Sequence, residues 1–143
     1  MYSGQTIHAT PDTGFARVVI QAKNTGTATW RRSMFSVNVV GGQRKNAQFY
    51  DQSWLTALRP TLLDQLSVVP GQNGTFTFTI RIPTTSRKYV LRLWMVHQNG
   101  NNFISLNAQP VVIPIYVRHK RLPYSILKTT QQTQSSFQMP SLD

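Results

Sequence analysis

Cysteine and glutamate are both absent from this chain. Without cysteine there is no disulfide framework, no thiolate metal site and no thiol nucleophile. Acid of any kind is scarce. The four acidic residues are all aspartates (Asp12, Asp51, Asp64, Asp143), set against fifteen Lys and Arg, for a net charge of +11. Charged residues make up only 13% of the chain, so the polar surface must be mostly Thr, Gln, Asn and Ser. The lack of Glu argues against a helical bundle, whose exposed faces want strong helix formers. No apolar run approaches the roughly 20 residues that a transmembrane helix needs. The longest, residues 111–117, is short and carries Pro114. The segment Met1 to His8 has no basic stretch followed by an apolar one, so the expectation is synthesis in the cytoplasm without a signal peptide, and no membrane partner.

What is present reads as strands. A length of 143 residues fits one domain plus an appendage. Residues 5–10 form a first candidate strand, closed by the turn cluster Pro11-Asp12-Thr13-Gly14. Residues 15–24 alternate with period two, placing Ala16, Val18, Ile20 and Ala22 on one face and Arg17, Gln21 and Lys23 on the other. Met34 to Val40 is a strand ending at Gly41-Gly42. Gln48-Phe49-Tyr50 reads as a short strand, and Trp54 to Leu63 as a loop. Residues 75–82 alternate strictly, with Phe76, Phe78 and Ile80 inward. Asn73-Gly74-Thr75 matches a glycosylation sequon but reads as a turn. Tyr89 to His97 is apolar on both faces except at Arg92, which suits a central strand, and Asn99-Gly100 signals a hairpin. Phe103 to Leu106 and Val111 to Val117 complete the set, with Pro110 and Pro114 restricting the last to an edge or a break.

About seven to nine short strands with turns every 8–12 residues predict an all-β, antiparallel β-sandwich over residues 1–117. The pattern changes at Arg118. Residues 118–143 lack periodicity and read as an extended C-terminal arm with spaced apolar side chains (Tyr124, Ile126, Leu127, Phe137, Met139, Leu142) after the basic start Arg118, Lys120 and Arg121. Eleven basic and three acidic residues fall in 1–117, so the positive charge belongs to the body as well as to the arm.

Three motifs carry a resemblance. They are Lys23-Asn24-Thr25-Gly26-Thr27-Ala28-Thr29-Trp30, the turn Val69-Pro70-Gly71-Gln72 with the alternating strand after it, and Leu93-Trp94 through Gly100 to Phe103. Together they resemble the immunoglobulin-like four-tryptophan domain of autophagy cargo receptors and its bacterial relatives, over roughly residues 15–117. The resemblance implies an immunoglobulin-like sandwich in which Trp30 and Trp94 are core anchors, with Phe76, Phe78 and Ile80 beside them. This chain has three tryptophans, and Ile104 follows Phe103 where that family has Gly.

No motif of catalysis stands out. His8, His97 and His119 are far apart, with no pair at metal-ligand spacing. Asp51 and Asp64 have no evident partner for acid–base work, no nucleophile elbow is present, and Gly41-Gly42 and Gly71 to Gly74 lack a phosphate-loop pattern. No cofactor, metal or small-molecule substrate is expected. The paired cations Arg31-Arg32, Arg44-Lys45, Arg87-Lys88 and Lys120-Arg121 point to polyanions. The expectation is a non-enzymatic structural or interaction protein, most concretely a virion component of a bacteriophage or other virus. It would dock on acidic protein subunits through its sandwich and the arm residues, with Trp54 either part of that contact surface or a cover over the open end of the sandwich. Two alternatives are a basic accessory protein holding nucleic acid weakly through phosphates, and an immunoglobulin-like adhesion or receptor module.

Overall fold

The computed structural model describes residues 2, 3 and 5–119. Eleven strands run through them: β1 (Tyr2–Ser3), β2 (Ile7–Ala9), β3 (Phe15–Lys23), β4 (Trp30–Arg31), β5 (Phe35–Val39), β6 (Thr61–Leu62), β7 (Ser67–Val68), β8 (Asn73–Arg81), β9 (Arg87–Asn99), β10 (Asn102–Ser105) and β11 (Val111–Val117). Among the described residues helix is confined to the single turn Gln43–Asn46 and to 3-10 turns at Arg32–Met34 and Ala47–Phe49. The fold is all-β. The arm side chains Lys120, Arg121, Tyr124, Ile126, Leu127, Phe137, Met139 and Leu142 lie outside the described residues.

Two sheets make the sandwich. The smaller has the order β1-β3-β8, and β3 pairs with β8 without interruption from Phe15↔Arg81 to Lys23↔Asn73. The larger has the order β2-β11-β9-β5-β6, with β10 also on β9. β4 and β7 form a separate ribbon. Alternation along each strand turns one set of side chains inward. Val18, Ile20 and Ala22 of β3 and Phe76, Phe78 and Ile80 of β8 meet Val37, Val39, Leu91, Leu93, Met95, Ile113 and Ile115 of the larger sheet in one buried cluster.

The strand predictions need three corrections. β8 begins at Asn73, so Asn73 and Gly74 belong to a strand and not to a turn. Gly74 is needed there for space, because a Cβ would stand 2.8 Å from Leu63 Cδ1 and 3.1 Å from Val68 Cγ2. The last strand is not an edge. β11 pairs with β9 from Val111 to Val117 and, on its other side, with β2 from Ile115 to Val117. Pro114 is tolerated because the second partner begins one residue after it. That second pairing is parallel, so the sandwich is not wholly antiparallel. The N-terminal segment crosses between layers, with β1 on β3 and β2 on β11.

Residues 47–54 differ most from expectation. Gln48-Phe49-Tyr50 is not a strand. A 3-10 turn drives Phe49 into the core at 2% exposure. Trp54 follows it, 5% exposed, with its indole N–H donating to Thr79 O at 2.6 Å. Phe49 meets the Tyr89 ring edge-on at 6.1 Å, and Trp54 meets Phe78 edge-on at 6.1 Å. Together they plug one end of the sandwich. Of the two roles open to Trp54, covering the end of the sandwich or belonging to a contact surface, it takes the first, because the core takes its ring and its one polar atom has a part-buried partner.

Trp30 is half-buried and packs against the core cluster, with Phe35 stacked on it at 5.3 Å. Trp94 does not anchor the core. Leu91, Leu93 and Met95 of β9 face inward, so Trp94 falls on the opposite face of the same strand, half-buried beside Asn38. Trp54→Ala should therefore cost about 3–5 kcal/mol, while Trp94→Ala should cost about 1 kcal/mol. Urea denaturation of the two variants checks this ranking, and the reverse order would put Trp94 in the core.

Candidate contact surfaces

Electrostatics shape the surface first. All three acids in the body accept side-chain or backbone hydrogen bonds. Asp64 Oδ2 accepts from the hydroxyls of Thr75 (2.7 Å) and Thr77 (2.6 Å), and its Oδ1 accepts from Thr77 N–H (3.1 Å). Asp51 accepts from the hydroxyl and the backbone N–H of Ser53. Those bonds, hydroxyl first, hold its carboxyl below the usual value, with the charge of Arg81 a smaller contribution. Asp12 accepts from the Thr10 hydroxyl in the turn after β2.

The bonds to Asp64 also finish an edge. Among the described residues the outer edge of β8 has no neighbouring strand. Side chains and a crossing segment supply its partners: Asp64 N–H donates to Thr75 O (2.8 Å), Gln65 Oε1 accepts from Thr75 N–H (2.9 Å), and Trp54 reaches Thr79 O. The far edge of β3 is treated alike, since Gln5 accepts from Val19 N–H (2.6 Å) and donates to Arg17 O (3.3 Å). Covered edges do not recruit other strands.

The larger sheet has a different outer face. Its strands β2, β5, β6, β9, β10 and β11 contain no Asp or Glu. Where β2 lies beside β11, His8 stacks on Tyr116, its direct partner in the register, with ring centroids 5.3 Å apart and planes at 13°. Lys88 Nζ stands 5.6 Å from the Tyr116 centroid and Arg118 Cζ 5.1 Å from it. Cations over a ring face are attracted by its quadrupole. A shallow cleft of about 370 Å³ opens here, lined by His8, Thr10, Thr13, Tyr116, Arg118 and His119. On the same face, toward the other end of β9, Arg59 Cζ lies 4.4 Å from the centroid of Phe103, which is 46% exposed.

The end of the sandwich opposite the Phe49–Trp54 plug carries a cleft of about 440 Å³. Trp30, Met95 and Leu106 form its apolar floor, and Asn24 and Asn107 stand in its wall. Both Asn side chains are buried and satisfied. Asn24 donates to Ala28 O and Val68 O (both 2.9 Å), and Asn107 accepts from Met95 N–H (2.9 Å) and donates to Gln109 O (2.5 Å). They fix the two loops that frame the cleft. Around this end Met34, Leu66, Ile104 and Leu106 are exposed, Leu66 at 76%. Arg32, one turn ahead of Phe35, binds Leu66 O, and Phe35 and Ile104 both pair with His97.

Among the described residues no group of three or more His, Asp or Glu could hold a metal ion, and no helix is long and apolar enough to cross a membrane. No protein-family model matches the chain, and no curated protein matches it.

Of the expected contact residues, Arg118 lies in the Tyr116 cluster and Trp54 lies in the core. Sequence reasoning missed His8, Tyr116, Phe103 and Arg59. The pair Arg87-Lys88 was a signal for the cations, but nothing local brings His8 to Tyr116. Asp64→Ala should lower stability by about 2–3 kcal/mol, since two hydroxyls and one backbone N–H lose a charged acceptor. Thermal and urea melts measure it. A change below about 0.5 kcal/mol, within the range of an ordinary surface substitution, would mean that water replaces the carboxylate.

Proposed function

We propose that the protein is a non-enzymatic structural or interaction module of a larger assembly, in its most concrete form a virion component of a bacteriophage or other virus, held by acidic protein subunits. The observation that carries this reading is the apolar end. Met34, Leu66, Ile104 and Leu106 are exposed, and Leu106 lines a cleft together with Trp30 and Met95. Monomeric proteins seldom leave contiguous apolar patches uncovered, and such patches mark contact sites. The charge adds a second element, because a basic surface draws an acidic partner and sets its orientation. The arm, with apolar side chains spaced among Gln, Thr and Ser, suits docking on a neighbour.

An immunoglobulin-like arrangement belongs to the same proposal. Its support is the pairing of β3 with β8 in one sheet and β5-β9-β11 in the other, with an N-terminal segment that changes layer. Such a small module serves as a decoration, spacer or joint and brings its own contact surfaces.

Leu66→Asp with Ile104→Asp should leave the melting temperature within a few degrees, since both side chains are exposed. Deletion of residues 122–143 should do the same. Each change should abolish incorporation into particles, read by mass spectrometry of purified assemblies. Normal incorporation of the Leu66/Ile104 variant would remove the apolar end as the interface. Normal incorporation of the truncated chain would remove the arm.

A further inference from the structure

The outer face of the larger sheet combines flat rings with cations and carries no acid on any of its strands. We propose that this face binds single-stranded nucleic acid, with the Tyr116–His8 stack and the Phe103–Arg59 pair as base platforms and Lys88 and Arg118 as phosphate contacts. The inference goes beyond the assembly reading and does not rest on it.

Four observations support it. First, the rings occur with cations on or beside their faces, at 4.4 Å for Phe103 and 5.1 Å for Tyr116. A base stacks on an aromatic ring or on a guanidinium plane, and both surfaces are offered together. Second, among the described residues β2 is the edge of its sheet, and beside exposed His8 lies the cleft of about 370 Å³, with Thr13 and Thr10 on its wall, the Thr10 hydroxyl donating to Asp12. Third, the two platforms lie along one strand. Tyr116 pairs with Lys88 and Phe103 with Gln98, ten residues apart on β9, roughly 33 Å at strand rise. Such a span holds several nucleotides, within the roughly 4–16 that a single-strand-binding module covers. Fourth, Asp64 and Asp51 are bonded elsewhere to hydroxyl and backbone donors, and Asp12, in the turn after β2, accepts from the Thr10 hydroxyl.

The shape selects among polyanions. The major groove of a duplex admits a helix or a two-stranded ribbon, and a broad sheet face enters neither groove. Stacking on these rings requires bases that are unpaired. An acidic protein surface would satisfy the cations and leave the rings without a partner.

The test is fluorescence anisotropy of the full chain with labelled oligothymidine and oligouridine of about 20 nucleotides, a duplex of equal length, and labelled polyglutamate. Either single strand should bind more tightly than duplex or polyglutamate. Phe103→Ser and His8→Ala, both at exposed positions, should each weaken binding by about fivefold or more. Lys88→Gln with Arg118→Gln should flatten the salt dependence by roughly 1.4 in log–log slope, at about 0.7 for each phosphate contact. Arg17→Gln with Lys23→Gln, the same charge removed from the outer face of the smaller sheet, should leave affinity within about twofold. Equal binding of polyglutamate would assign the face to an acidic protein and overturn the proposal. An equal loss from the Arg17/Lys23 pair would reduce the binding to diffuse charge and overturn it too. Ultraviolet cross-linking of oligothymidine followed by peptide mapping guards against a variant that misfolds. Cross-links should fall on the peptides holding His8, Phe103 or Tyr116, and cross-links confined elsewhere would overturn the assignment. Binding of oligonucleotide by a chain that does not incorporate into particles would separate this site from the assembly role.

Discussion

The pairing of β9 along both of its edges holds the larger sheet together. Thirteen residues, Arg87–Asn99, bind β11 along their first half and β10 along their last residues, with β5 on the other edge. Every other strand of that sheet depends on this one directly or through one neighbour. A strand so placed is covered on its edges by backbone and on its inner face by core. This is why Leu91 and Leu93 are fully buried, and why only the outer face of β9 remains to carry Arg92, Trp94 and Gln98. The same constraint places Tyr116 and Phe103 on one surface, since each stands opposite an outward residue of β9.

The smaller sheet is finished by other means. It has three strands, one of them two residues long. Its open edges are closed by Gln5, Asp64, Gln65 and Trp54, whose side-chain groups take the place of a neighbouring backbone. A carboxylate and an amide cost little to place beside a sheet edge, and they leave no row of free donors and acceptors to recruit another chain. The segment 43–66 therefore has two jobs. Phe49 and Trp54 plug the end of the core, and Asp64 and Gln65 close the side. Neither job needs regular secondary structure.

The surface is strongly basic because fifteen Lys and Arg stand against four Asp. The hydroxyls of Ser53, Thr75 and Thr77 hold Asp51 and Asp64 in hydrogen bonds that stabilise their charge without removing it. The free surfaces then differ in kind. One end is apolar around a cleft, and the outer face of the larger sheet is aromatic and basic.

Local pattern carried much of the fold. Period-two alternation marked β3 and β8 and named Val18, Ile20, Phe76, Phe78 and Ile80 as inward, and the Asn99-Gly100 turn placed the β9–β10 hairpin. These signals are local because strand parity and turn chemistry involve residues close in sequence. The parallel pairing of β2 with β11 was not legible. It joins the two ends of the described chain, and no local feature of residues 7–9 selects that partner. His8 and Tyr116 became neighbours only through it. Phe49 and Trp54 gave a partial sign, as large rings in a polar segment, but their burial depends on which end of the sandwich they reach. Trp94 shows the limit most clearly. Tyr89 to His97 is apolar on both faces, so alternation alone could not say which parity points inward. Contact with the opposite sheet decided it, taking Leu91, Leu93 and Met95 into the core and leaving Trp94 outside.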